Sequence, residues 1–166
     1  MKRLLLDTNI YGEMIVDDHL DFIKEKLKQS GDSFAIFGIS LIRKELRATP
    51  RKIKVSGVNL RIYLLSLYDE LVKQKSLVIN SETLALAGQY YLLYRELGGS
   101  KGKDEMANDL LIVACAALKE MDIVVSEDES TLKSEHALQA YAFVNIIRKL
   151  RNPHLISYED FKKLLK

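Results

Sequence analysis

The chain has 166 residues, 48% hydrophobic and 29% charged, the balance of one globular domain (1–166) with a sizeable core. A formal charge of only +2 excludes an overall basic nucleic-acid-binding composition, so any such signal has to be local. The lone cysteine, Cys115, sits in an apolar run, which excludes an internal disulfide and a thiolate zinc centre.

In chain order, Leu4, Leu5 and Leu6 read as a short strand buried on both faces that delivers Asp7 to its C-terminal edge. That edge is where open parallel α/β sheets form their sites. So few apolar residues precede Asp7 that no signal peptide is expected. No stretch approaches the ~18 apolar residues of a membrane span, and a reducing, cytoplasmic setting with no membrane partner is expected. Residues 9–16 read as a short helix, and Asp17 and Asp18 are expected to cap a second one running to 29, with Leu20, Ile23 and Leu27 at helical spacing. Gly31 and Asp32 signal a turn before a second strand, 33–39. Ser40 is expected to cap a two-turn helix over 41–48, stopped before Pro50, and 51–57 is expected to be a mobile loop.

A long amphipathic helix is predicted over 58–74, because Leu60, Leu64, Leu67 and Leu71 recur at spacings of three and four. A minor strand at 77–79 precedes a helix over 82–97, which Ser81 is expected to cap and Gly98-Gly99 to break. The charged segment 101–105 leads into a strong helix over 106–120. Residues 122–126 form a third clear strand, ending in Glu127-Asp128-Glu129. The pattern over 137–150 is helical, although 140–147 is apolar enough for a strand. A last strand (155–157) and a short helix (158–165) close the chain. Strands alternating with helices predict an α/β fold, three-layer α/β/α with a mainly parallel central sheet. The pattern does not encode strand order.

Four acids stand where this architecture can present them together. Asp7 ends the first strand, Glu45 lies in the helix after the second, Asp109 opens the apolar part of the long helix, and Asp128 follows the third strand. Four clustered carboxylates without a basic partner repel one another, and hard divalent ions, Mg²⁺ or Mn²⁺, suit such oxygen ligands. Two ions about 3.5–4 Å apart are a standard device for in-line phosphoryl displacement by water. Thr8 and Ser126 are hydroxyls beside two of the acids, able to orient a carboxylate or a metal-bound water. Glu105, four residues before Asp109, and Glu127, beside Asp128, are further candidate ligands. Taken singly each acid has a structural reading as well: a turn or cap for Asp7, a solvated helix charge for Glu45, a macrodipole partner for Asp109.

The opening hydrophobic-Asp7-Thr8-Asn9, the Glu45 helix, the Asp109-Leu-Leu-Ile-Val-Ala-Cys helix and Ile-Val-Val-Ser126-Glu-Asp128 resemble, in order and spacing, the PIN-domain ribonucleases, including the VapC toxins of toxin–antitoxin pairs. The resemblance implies a Rossmann-like PIN fold and Mg²⁺- or Mn²⁺-dependent cleavage of RNA. It implies catalytic and metal-binding roles for Asp7, Glu45, Asp109 and Asp128, and supporting roles for Thr8 and Ser126. A homodimer and an antitoxin partner are implied in the same way.

Basic residues gather beside Glu45: Arg43, Lys44, Arg47, Arg51, Lys52 and Lys54. An acidic pocket that cuts a polyanion needs such a cationic rim, and these six are the candidate RNA contacts. Tyr90, Tyr91 and Tyr94 are expected to pack in the core rather than stack on bases. The haloacid dehalogenase type of phosphatase requires a second aspartate two residues after its nucleophile, where this chain has Asn9. A dinucleotide-binding enzyme requires a glycine-rich turn after the first strand, and none is present. An RNA-processing nuclease outside toxin–antitoxin systems, and a non-catalytic module that binds RNA or protein, are the alternatives left.

Overall fold

The computed structural model describes residues 1–166. Its centre is β1 (Lys2–Leu6), whose Leu4, Leu5 and Leu6 are fully buried. Apolar residues on successive positions suit a strand covered on both faces, and two neighbours pair with β1 in parallel. On one side lies β2 (Phe34–Ile39), in the register Leu4↔Ile36 and Leu5↔Phe37; on the other lies β6 (Ile123–Val125), with Leu4↔Ile123 and Leu6↔Val125. The short strands β5 (Ser76–Leu77) and β7 (His154–Ile156) complete the sheet in the order β5-β2-β1-β6-β7, parallel throughout. Every strand therefore ends on the same edge, and β1, in the middle, places Asp7 at the centre of that edge.

Helices α1 (Thr8–Val16), α3 (Ser40–Arg47) and α4 (Leu60–Val72) pack on one another, and α2 (Leu20–Gln29) adjoins α1. A second group consists of α5 (Ser81–Glu96), α6 (Lys103–Leu118) and α7 (Glu135–Ile147), with α5 lying against both others. The helix α8 (Tyr158–Leu164) closes the chain. The buried side chains form one cluster of 41 residues, so the sheet and both helical groups share a single core. Tyr90 and Tyr94 are buried in it and Tyr91 packs against it, as expected. At 140–147 the chain is helical, lying within α7. No helix is long and apolar enough to cross a membrane.

Several local expectations are corrected. In place of a loop at 51–57, Lys54–Val55 (β3) and Val58–Asn59 (β4) form an antiparallel hairpin, and α4 begins only at Leu60. Ser56 and Gly57 both adopt left-handed φ, 51° and 78°, the conformation that a two-residue type I′ turn demands. Ser40 is the first residue of α3 rather than its cap; Ile39 holds that position and gives no side-chain bond. Asn80, not Ser81, caps α5, in a reciprocal box with Thr83. His19 rather than an aspartate precedes α2, and Asp17 Oδ1 accepts from the His19 amide at 2.8 Å. The long helix α6 starts at Lys103, three residues before the expected 106.

Candidate active site

Asp7 is 5% exposed and has every oxygen engaged. As the N-cap of α1 it accepts the Thr8 amide on Oδ1 at 2.7 Å. Its Oδ2 accepts from Ser126 Oγ at 2.7 Å and from Asn9 Nδ2 at 3.0 Å. Ser126, fully buried at the end of β6, also receives the Asp128 amide on its Oγ at 3.0 Å, so one hydroxyl links the acids that follow β1 and β6. Burial pushes the Asp7 carboxyl above its ordinary value; the bonds from Ser126 and Thr8 oppose this, and the charges of Glu45 and Asp128 add to it.

Glu45 reaches the same edge from α3. Its Oε2 accepts from the Thr8 hydroxyl, and its Oε1 accepts from Asn108 Nδ2 at 2.6 Å. Asn108 is the residue before Asp109, so α3 and α6 are tied together across the mouth of the site. Asp109 and Asp128 meet through Thr131, whose Oγ1 lies 2.5 Å from Oδ2 of each. A hydroxyl carries one proton and can donate to only one of them at a time. The two acids are driven in opposite directions. Burial first, then the charges of Asp7, Asp128 and Glu45, push Asp109 up to about 7 against the bond from Thr131. For Asp128, burial is outweighed by hydrogen bonds from Thr131 and Ser130, which hold its carboxyl below the ordinary value.

The structure thus brings Asp7, Glu45, Asp109 and Asp128 together with Thr8 and Ser126. Three further members escaped the sequence reading: Asn9, Asn108 and Thr131. Thr131 stands three residues after Asp128, the spacing of a side-chain-closed turn, and that was the available signal. Two of the additional candidates lie apart. Glu105 is exposed and pairs with Lys101 at 3.1 Å, and Glu127 accepts the Tyr158 amide at the start of α8. Among the six candidate cations, Arg43 is committed to Asp69 through two bonds of 2.9 Å, whereas Lys44, Arg47, Arg51, Lys52 and Lys54 are exposed and outside every ion pair. A cavity of ≈ 530 Å³ lies elsewhere, lined by Met1, Phe34, Lys24, Lys28 and Glu70 at the opposite ends of β1 and β2.

The donor set suits a hard divalent ion in kind: oxygen ligands only, gathered with no counter-cation strong enough to keep Asp109 ionised at its ordinary value. As the side chains stand, no three of them converge as a formed metal centre; they are tied instead through Thr8, Ser126 and Thr131.

No family model matches the sequence, and no curated protein matches it. Solved structures do. A chain of VapBC2 from Rickettsia felis, bound to a DNA fragment from its promoter, superposes with a TM-score of 0.59 at 17% identity, over 93% of this chain and 98% of that one. VapBC from Salmonella typhimurium bound to DNA gives 0.57 at 15% identity, over 95% and 99%. FitAcB from Neisseria gonorrhoeae gives 0.52 at 18% identity, over 81% and 92%. These likenesses, with the five-stranded parallel sheet flanked by helices, establish a PIN-like α/β fold.

Proposed function

We propose that this protein is a metal-dependent endoribonuclease that hydrolyses RNA phosphodiester bonds at the Asp7–Glu45–Asp109–Asp128 site, acting as the toxin of a toxin–antitoxin pair. The observation that carries the reading is the gathering of these acids from four separate elements at one sheet edge, Asp7 held by Ser126, Glu45 by Thr8, and Asp109 and Asp128 by the Thr131 hydroxyl they share. Orienting a carboxylate this closely is costly for a plain binding surface and is what a metal site requires. The toxin role draws on the fold shared with VapBC and FitAB assemblies, and an antitoxin and a second copy of this chain are its expected partners.

Asp7, Glu45, Asp109 and Asp128 would hold Mg²⁺ or Mn²⁺. The ion, when bound, supplies positive charge to the scissile phosphate and lowers the cost of ionising water. The chain's own part is positional. Ser126 and Asn9 fix Asp7, Thr8 and Asn108 fix Glu45, and Thr131 keeps Asp109 beside Asp128. Water is the nucleophile: its oxygen bonds to phosphorus, one phosphorus–oxygen ester bond breaks, and the leaving oxygen ends as a hydroxyl. Without the ion the Asp109 carboxyl lies near 7, so a cation bound there would displace its proton and hold it as a carboxylate.

A panel of labelled RNAs incubated with Mg²⁺, Mn²⁺ or EDTA tests the reading. Cleavage that needs metal and disappears in Asp7→Asn is expected. A folded wild type that binds RNA and cuts none of the panel with either metal would favour the non-catalytic module.

A further inference from the structure

Residues 46–68 carry Arg47, Arg51, Lys52, Lys54 and Arg61 and no acid, and none of these cations enters an ion pair. Three of them, Arg51, Lys52 and Lys54, are exposed on the β3–β4 hairpin and its approach. This hairpin is braced at its base. Leu60 donates its amide to Ile53 O at 2.9 Å, and Asn59 Nδ2 reaches Arg51 O at 2.5 Å while Asn59 Oδ1 caps α4 through the Ile62 amide. The register pairs Val55 with Val58 on one face and Lys54 with Asn59 on the other. Val55 packs against the core, whereas Lys54, on the other face, is exposed. The hairpin follows directly from α3, the helix that brings Glu45 to the site. No aromatic residue occurs in 48–62, so there is nothing here for bases to stack on. Unpaired lysine and arginine on a stiff support suit phosphate instead.

We propose that the β3–β4 hairpin is a rigid arm that grips the RNA phosphate backbone outside the scissile bond through Arg51, Lys52 and Lys54, so that affinity grows with RNA length. The proposal rests on the ribonuclease reading for the identity of the polyanion. Arg43, neutralised by Asp69, takes no part in it.

The test measures binding in EDTA, where no cleavage occurs, using fluorescein-labelled uridine oligomers of about 6 and about 20 nucleotides. The proteins compared are the wild type, the triple variant Arg51→Ala/Lys52→Ala/Lys54→Ala, and an equal-charge control, Lys2→Ala/Arg148→Ala/Lys166→Ala. The wild type is expected to hold the longer oligomer at least ~10-fold more tightly than the shorter. The arm variant is expected to lose most of that advantage, and its log–log salt slope to fall by about 2, as three lost single-strand phosphate contacts predict. The control is expected to bind as the wild type does. Wild-type affinity and salt slope in the arm variant would overturn the proposal, as would a wild type that binds neither oligomer. Arm-dependent binding of labelled polyglutamate in preference to RNA would also overturn it, in favour of an acidic protein surface. If the wild type binds RNA through the arm yet cuts none with Mg²⁺ or Mn²⁺, the nuclease reading fails and the arm stands. If metal-dependent cutting is lost in Asp7→Asn while the arm variant binds normally, the arm alone fails.

Discussion

Thr131 shows how one side chain decides the state of two others. It is 8% exposed and lies against a carboxylate from α6 and another from the turn after β6. Thr131→Val keeps the shape and removes the hydroxyl, so Asp109 and Asp128 lose their shared partner. Cleavage is expected to fall roughly 10–100-fold, the usual cost of losing an outer-shell contact, while Thr131→Ser retains most of the rate. Equal rates in the Val variant and the wild type would show the hydroxyl to be idle. Asp109 gives a pH signature in the metal-free protein. Its folded value of about 7 lies above the ~3.9 of an unfolded aspartate, so between these the native state binds more protons. Stability contributed by this group is therefore present at low pH and lost as pH rises through 7. Thermal melts in EDTA from pH 5 to 8 are expected to show a falling Tm in the wild type and a flatter profile in Asp109→Asn; identical profiles would contradict the assignment.

At the scale of elements, the sheet is held at one point by an unusually close approach. A Cβ added at Gly38 in β2 would lie 2.1 Å from Tyr68 Oη and 2.6 Å from Cζ, and Tyr68 itself donates to Ile39 O at 3.1 Å. Gly38→Ala must push α4 off the strand and is expected to cost about 1–3 kcal/mol, the range of an overpacked core, measured by urea unfolding. An undiminished midpoint would mean that α4 is free to shift. Elements of this kind differ in how far the sequence exposes them. The runs Leu4-Leu5-Leu6 and Ile123-Val124-Val125 announce buried strands by composition alone, and the leucine spacing announces α4. The hairpin at 54–59 escapes because each strand is two residues long, below any periodicity, and only Ser56-Gly57 marks the turn. The caps of α3 and α5 each fall one residue before the expected serine, at Ile39 and at Asn80, because the backbone and not the side-chain preference alone sets a helix boundary.

Across the whole molecule, the ends of the chain are fastened together. Asp17, after α1, accepts from the His19 amide and from Lys162 Nζ and Tyr158 Oη of α8. Burial opposes its ionisation, but these bonds outweigh it and carry the carboxyl down to about 2. A depressed folded value means stability present above ~4 and lost as pH falls toward 2. Asp17→Asn is expected to lower Tm at pH 7 and to narrow the gap to the wild type near pH 2; an unchanged gap across that range would place the clamp elsewhere. The sequence could not show this tie, since it joins residues 141 and 145 positions apart. Strand order was hidden for the same reason. The four acids, in contrast, are legible as neighbours because each sits beside or within a recognisable strand or helix. Their partners Asn9, Asn108 and Thr131 became visible only once the elements were folded against one another.

The claim that joins these scales is that Asp7, Glu45, Asp109 and Asp128 act as one cation site. Calorimetric titration of Mn²⁺ into the wild type and Asp109→Asn at pH 7, in two buffers of different ionisation enthalpy, tests it most directly. The account predicts saturable binding with proton release in the wild type, because Asp109 gives up its proton to the incoming charge, and binding weakened at least ~10-fold without that release in the variant. No saturable binding by the wild type, or equal binding and equal proton release in both proteins, would contradict it.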